Sequence, residues 1–273
     1  MFLMEPRIEA LNVKLVLEKI ALPTQLARLA RPRLLRLLQD SLESCATTVI
    51  SGRAGAGKTA LATDFARICG RPVAWYKVDA SDFELRVFFE YLLASIRQQR
   101  PHFSGRRIMS LVESEKETDI PLLAECFVYE LLKDEGDPLL IVIEDLHLVC
   151  DAEWLVPLLG RLLPLLPTDV HLLITSRTLP PAPLWRMRSK QTLQVIDEPT
   201  LAFTLPEAVA LFETFGLSSE HARVAFDQTH GRAAALAASA LEVAQYRSAR
   251  QSIPNRERQR PDTSTRRFGL LHR

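Results

Sequence analysis

"ISGRAGAGKTAL", residues 50–61, sets three glycines, a lysine and a threonine between an apolar run and a helix-like segment. The spacing G-x-x-x-x-G-K-[ST] is met by Gly52, Gly57, Lys58 and Thr59. Such a loop holds phosphate when a strand enters it and a helix leaves it. Residues 46–50 read as a short buried strand, and Thr59, Ala60, Leu61, Ala62, Phe65 and Ala66 as the start of a helix. The glycines let the backbone fold around an anion without obstructing side chains. The helix N-terminus then points free N–H groups and a positive dipole end at it. Gly52, Gly55, Ala56, Gly57, Lys58, Thr59 and Ala60 form the candidate phosphate-binding set. Lys58 is expected on the β- and γ-phosphates and the Thr59 hydroxyl on Mg²⁺.

Downstream of the loop, four more runs read as strands: "PVAWYKVD" (72–79), "LLIVIED" (139–145), "VHLLITSR" (170–177) and "TLQVID" (192–197). Helical segments separate them. In "SDFELRVFFEYLLASIRQQ" (81–99), Ser81 and Glu84 have capping-box spacing, and Leu85, Phe88, Phe89, Leu92, Leu93 and Ile96 share one helical face. Residues 119–133 and 151–163 also read as helices. Alternation of this kind predicts an α/β domain with a parallel five-stranded sheet and right-handed crossovers. After Pro199 the strand signals stop. A capping box at Thr204 and Glu207, a helix starting at Ser218 or Ser219 and ending at Gly231, and an Ala-rich run from Arg232 predict a small helical module. The expected division is an N-terminal segment (1–32), a nucleotide-binding domain (33–200), the helical module (201–247) and a basic, disordered tail (248–273).

The run "LLIVIEDLH" ends a buried strand on Glu144 and Asp145. Ligands bind at the C-terminal ends of strands in open α/β sheets. One acid is suited to Mg²⁺, for which Glu144 joins Thr59, and the other to orienting the attacking water. Neighbours on a strand face opposite ways, so they need not share a role. Arg177, at the end of "LLITSR", is placed to reach a γ-phosphate. His147 could contact either acid, although a hydrogen-bonded structural histidine is the plainer reading. Arg53 occupies a variable loop position and is expected to face solvent.

The chain has 273 residues, 47% of them hydrophobic, enough for one good core and a smaller module. Seven arginines against two acids give residues 248–273 a net charge of +5, which leaves −4 on the rest of a chain whose total is +1. An acidic body does not suit nucleic acid. The most apolar stretch, "LVPLLGRLLPLL", is broken by Pro157, Arg161 and Pro164, so no membrane span is predicted. The N-terminus has no signal-peptide pattern, and the four cysteines form no C-x-x-C pair. A cytoplasmic location, with neither zinc nor disulfides, is the expectation.

The succession "LARPRLLRLL", "GRAGAGKT", "AWYKVDASDFELRVFFEYLLASI", "IVIEDLHLV", "LLITSR", "FTLPEAVALF" and "DQTHGRAAAL" resembles the N-terminal ATPase region of MalT-like regulators. These are LuxR-family, ATP-dependent transcriptional regulators of the STAND class of P-loop NTPases, within the ASCE division. The resemblance spans residues 25–245 and implies an ATP switch, in which ATP and ADP favour different arrangements of helical modules. It implies phosphate and Mg²⁺ roles for Lys58 and Thr59, an acidic pair at Glu144 and Asp145, and a sensor arginine at Arg177. Catalytic duty thus falls on Asp145, Glu144 and Arg177. Leu29, Ala30 and Arg31 would line the adenine pocket. In P-loop ATPases of this kind, the strand ending at Arg177 lies between the glycine-loop strand and the acidic-pair strand.

The chain departs from the family pattern at Glu144, where an aspartate is usual, and at Gly231-Arg232-Ala233, where Gly-x-Pro is usual. Family members continue through a winged helix, a repeat sensor and a DNA-binding helix-turn-helix; no DNA-binding domain is expected in this chain. The reading is an ATP-binding signalling module with slow hydrolysis, its partners being ATP or ADP and either a second copy or a longer homologous regulator. Two alternatives stay open: a nucleotide-dependent interaction module without turnover, or a truncated form of such a regulator, and a P-loop kinase of a small metabolite. The kinase reading would draw on Arg177, Arg186 and Arg188 as lid arginines.

Overall fold

The apolar runs assemble into one sheet: β1 (Thr47–Ser51), β2 (Val73–Lys77), β3 (Leu139–Glu144), β4 (Val170–Ser176) and β5 (Leu193–Ile196). Their order is β2-β3-β4-β1-β5, and every pairing is parallel. The computed structural model describes residues 16–24, 29–114, 118–134, 136–179 and 192–251. Arg186, Arg188 and residues 252–273 of the basic tail lie outside them. β4 separates β1 from β3, as expected for the ATPase branch; β1 and β3 are not paired as the kinase reading requires.

Helices cover both faces. α1 (Pro32–Ser44) and α2 (Lys58–Ile68) lie on one side, where Leu34, Leu38, Leu61 and Phe65 meet Ile50, Trp75, Leu140, Val142 and Leu173. On the other side, α3 (Leu85–Gln99), α4 (Arg106–Val112), α5 (Ile120–Lys133) and α6 (Leu155–Leu162) bury Phe88, Phe89, Ile108, Phe127 and Leu158 against Val49, Tyr76, Ile141 and Ile174. β1, β3 and β4 are buried along their whole length, which explains their continuous apolar sequence.

Strand alternation decides what reaches the loop. Leu140 and Val142 face α1 and α2, so Glu144, two residues on, faces α2 as well. The same parity on β4 puts His171, Leu173 and Thr175 on that face. His171 there accepts from, or donates to, Thr48 Oγ1 at 2.9 Å, and Thr48 meets Ser41 of α1 at 2.6 Å.

After β5, α7 (Glu198–Leu201) packs Leu201 into the α1 and α2 side of the sheet core, and the helical module follows as α8 (Leu205–Glu213), α9 (Ser219–Thr229) and α10 (Ala233–Gln251). Phe203, Leu211, Phe212, Leu217 and Leu236 make its own small core. The Thr204–Glu207 capping box forms as its sequence predicts. Two expected caps differ. Before α3, the box joins Asp79 and Asp82 around a 3₁₀ turn (Ala80–Phe83), and Glu84 caps nothing with its side chain. Those acids also hold Lys19, which is buried between them, so they serve two partners at once. α9 ends at Thr229 and is capped by His230, in the left-handed region at φ 51°, one residue before Gly231. α1 and α4 carry no comparably plain sequence signal. The helix expected over 151–163 starts late, at Leu155.

Candidate functional site

The glycine loop turns where its sequence requires. Gly55 and Gly57 have φ of +79° and +91°, and Gly57 is the N-cap of α2. A methyl on Gly55 would lie 2.8 Å from Ala234 Cβ, so this glycine is needed for close approach as well as for its backbone angle. Lys58 is buried, and its ammonium folds back to donate to the carbonyls of Gly52 (2.7 Å) and Arg53 (3.2 Å). Burial pushes its pKa below the usual lysine value; Asp145, Glu198 and Glu144 oppose that shift, and Arg177 adds to it.

Toward β3, the Thr59 hydroxyl donates to Glu144 Oε1 at 2.5 Å. Glu144 is only 2% exposed, and its Oε2 is buried with no hydrogen-bond partner among the described residues. Asp145 leaves the strand in the left-handed region at φ 58°, and its N–H donates to Thr175 Oγ1 at 2.9 Å. That turn of the backbone separates the two acids, and only Glu144 meets Thr59. His147 follows on a 3₁₀ turn (Leu146–Val149), with Nδ1 3.7 Å from Asp145 Oδ1. Burial lowers the His147 pKa; Asp145 opposes this, while Arg177 and Lys58 reinforce it. Arg177 is exposed just beyond β4 and close enough to act on both Lys58 and His147.

Toward the helical module, the loop makes a second set of contacts. The Arg53 N–H donates to Glu198 Oε2 at 2.9 Å, and its guanidinium pairs with Glu198 Oε1 at 2.7 Å. Ala234 N–H at the start of α10 donates to the Gly55 carbonyl at 2.9 Å, and Arg232 donates to the Ala54 carbonyl at 2.7 Å. A cleft of about 380 Å³ lies along this seam, lined by Arg53, Ala56, Glu198, Thr229, His230 and Arg232 among others. The module is also fastened to α1. Arg31 is buried over the Phe203 ring and donates to the Leu201 carbonyl at 2.6 Å, and Arg33 donates to the Thr200 and Ala202 carbonyls at 3.0 Å each.

Residues 29–175 match the family model described as an AAA ATPase domain. The chain belongs to this family. The chain is also 30% identical over 250 residues to the HTH-type transcriptional regulator MalT of Serratia proteamaculans, covering 89% of this chain and 27% of that protein. Against MalT of Vibrio cholerae the identity is 28% over 232 residues, covering 82% of this chain and 25% of the relative. The chain therefore spans about a quarter of the length of the curated relatives it matches. Among solved structures, a signal transduction ATPase with numerous domains and a tetratricopeptide repeat sensor, from Pyrococcus horikoshii, aligns at TM-score 0.52 and 18% identity. That alignment covers 79% of this chain and 30% of the other, and it supports the fold alone. The resemblance to the ATPase region of MalT-like regulators and the P-loop fold are both borne out, and the ATPase domain is a nucleotide-binding module.

Within the ATPase domain, Gly52, Gly55, Ala56, Gly57, Lys58, Thr59, Ala60, Glu144, Asp145 and Arg177 converge on one end of the sheet, at or beside the ends of β1, β3 and β4. Leu29, Ala30 and Arg31 do not line the cleft beside Arg53. Leu29 packs on the module core, Ala30 is exposed, and Arg31 bridges the loop and the module, with NH2 3.1 Å from where a methyl on Gly57 would stand. Arg53 is exposed, as expected, but it is ion-paired. His147 is not the hydrogen-bonded structural residue expected: among the described residues neither ring nitrogen has a hydrogen-bond partner, and the nearest charged group is Asp145. Glu198 had no sequence signal beyond an acid at the first turn of a short helix, and its role was missed. The Thr59–Glu144 pair fits Mg²⁺: the hydroxyl and carboxylate already touch, and a buried carboxylate oxygen has spare lone pairs.

Proposed function

We propose that this chain is an ATP-binding signalling module that hydrolyses its nucleotide slowly. The observation that carries the proposal is the contact between Thr59 and the buried Glu144 at the head of the glycine loop. The backbone of residues 52–60 cradles the phosphates, and Lys58 exchanges its two carbonyl partners for phosphate oxygens. Thr59 and Glu144 hold Mg²⁺, which when bound offsets charge on the phosphates. Asp145 orients the attacking water, and Arg177 contacts the γ-phosphate. Residues 33–200 form the nucleotide-binding unit and 201–247 the module that responds to it, after an N-terminal segment over 1–32. The reading carries a cytoplasmic location and, as partner, a second copy or a longer regulator of the MalT type.

Slow turnover follows from how loosely the hydrolytic groups are held. Asp145 has no hydrogen bond to its carboxylate among the described residues beyond the 3.7 Å approach of His147, and Arg177 is exposed. Positioning supplies much of the barrier reduction in phosphoryl transfer. The rate should fall far below the roughly 1–100 s⁻¹ of kinases. The reading without turnover draws on the module's contacts with Gly55 and Ala54. Single-turnover hydrolysis alongside nucleotide binding separates the two. Asp145→Asn should slow hydrolysis and spare binding, whereas Glu144→Gln should weaken the Mg²⁺ dependence of binding. Exchanged phenotypes would reverse the two acidic roles.

A further inference from the structure

Among the charged groups around the glycine loop, His147 stands apart. Both of its ring nitrogens are buried and, among the described residues, neither has a hydrogen-bond partner, in a side chain only 11% exposed. Native interiors rarely leave a buried polar group unpaired without a use for it. The ring is packed beside the carboxylate of Asp145, with Nδ1 3.7 Å from Oδ1, just outside hydrogen-bond reach. Asp145 is anchored at its backbone by the bond to Thr175 and by its left-handed turn, while among the described residues its carboxylate has only the imidazole as a neighbour within salt-bridge distance.

We propose that His147 is a positioning residue for hydrolysis: in the nucleotide-loaded site its Nδ1–H donates to Asp145 Oδ1 and holds that carboxylate toward the attacking water. A movement of roughly 1 Å brings the pair to hydrogen-bond length. The charged groups that act on the ring are Asp145, Arg177 and Lys58; the two cations and burial disfavour the imidazolium. A neutral imidazole with its proton on Nδ1 still donates, so the bond needs no charge on the ring. Nε2 is left as an acceptor. The inference rests on the reading of Asp145 as the water-orienting acid.

The test compares His147→Asn, His147→Gln and His147→Phe. The amide nitrogen of asparagine falls near the place of Nδ1, and that of glutamine near Nε2. Hydrolysis in a single turnover should fall about 10-fold or more in the Gln and Phe variants and stay within about 3-fold of wild type in the Asn variant. ATP affinity should move less than about 2-fold in all three. In an Asp145→Asn background, His147→Gln should add no further loss. Independently of turnover, ¹⁵N spectra of the wild-type imidazole should show Nδ1 becoming a hydrogen-bonded donor on addition of Mg²⁺ and a non-hydrolysable ATP analogue.

Equal losses in the Asn and Gln variants, unchanged rates, or an unmoved Nδ1 signal would each overturn the proposal. Wild-type hydrolysis by Asp145→Asn would defeat the reading of Asp145 itself. Slow Asp145→Asn beside a normal His147→Gln would defeat only the role of His147. Absence of turnover in the wild type would defeat both.

Discussion

The two flanks of the glycine loop are built from different materials. On the β3 flank, Thr59 meets a carboxylate that is 2% exposed and carried on a strand buried along its whole length. On the module flank, Arg53 and Glu198 meet with side chains 75% and 31% exposed, helped by backbone contacts from Ala234 and Arg232. The first flank cannot move without disturbing the core of the sheet. Surface ion pairs contribute only about 0–1 kcal/mol each, so the second can open at small cost. On the function proposed above, that asymmetry gives a fixed wall to hold phosphate and metal and a yielding wall to report them.

The largest effect should come from breaking the junction on which the yielding wall turns. Gly231 has φ +77°, its carbonyl accepts from Phe203 N–H at 2.8 Å, and a methyl on it would lie 2.3 Å from the Phe203 carbonyl oxygen. Gly231→Ala should cost about 3–4 kcal/mol in denaturant unfolding, from left-handed strain plus displaced backbone. Gly70 is the control. Its φ is +70° with nothing within 4 Å of an added methyl, so Gly70→Ala should cost only about 1–2 kcal/mol. Equal losses would mean that the module does not depend on this contact.

Next in size is the fixed wall's hold on the nucleotide. Mg·ATP at about 100 times its Kd should stabilise the wild type by roughly 2.7 kcal/mol. Lys58→Ala should remove that gain in a thermal-shift titration. A gain that survives the substitution would place the phosphates elsewhere.

Much of the fixed wall was legible in the sequence, and the yielding wall was not. Local pattern set the loop, since strand, glycines and helix are contiguous, and it set the five strands, because each is a single apolar run. Strand alternation was enough to separate Glu144 from Asp145, since Leu140, Val142 and Glu144 share parity. The pairing of Arg53 with Glu198 joins residues 145 positions apart, and neither carries a periodic or motif signal. The packing of Arg31 on Phe203, 172 positions away, likewise carries no local sequence signal. The cap before α3 went astray for a similar reason. Asp79 and Asp82 compete with Ser81 for the turn, and a buried lysine from the N-terminal segment favours the acids.

A smaller effect should follow from Glu198→Gln. The amide still accepts from the Arg53 N–H, but the charge is lost. The Ala234 amide, whose acceptor is Gly55, should exchange with solvent about 3-fold faster, the size expected for one exposed pair. The Asp145 amide, held by Thr175 on the other flank, should not change.

The smallest effect, and the finest discrimination between the flanks, is electrostatic. Bonds from the Arg53 side chain and backbone N–H favour ionised Glu198 and hold its pKa below the usual glutamate value of 4.5. A depressed carboxylate pKa means that the pair's contribution is fully present above pH 4.5 and is lost as pH falls through the lowered value. At neutral pH the pair is therefore intact, and salt is the gentler probe. Raising ionic strength from about 0.01 M to 1 M shortens the Debye length from roughly 30 Å to 3 Å, which weakens exposed pairs and leaves buried contacts nearly alone. Ala234 amide exchange should accelerate by less than about 2-fold over that range while Asp145 stays constant. The acceleration should vanish in Glu198→Gln, since the charge that salt screens is gone. If both amides respond to salt alike, or if Glu198→Gln keeps the response, the module is not held by this pair, and the contrast between a fixed and a yielding wall fails at its electrostatic root.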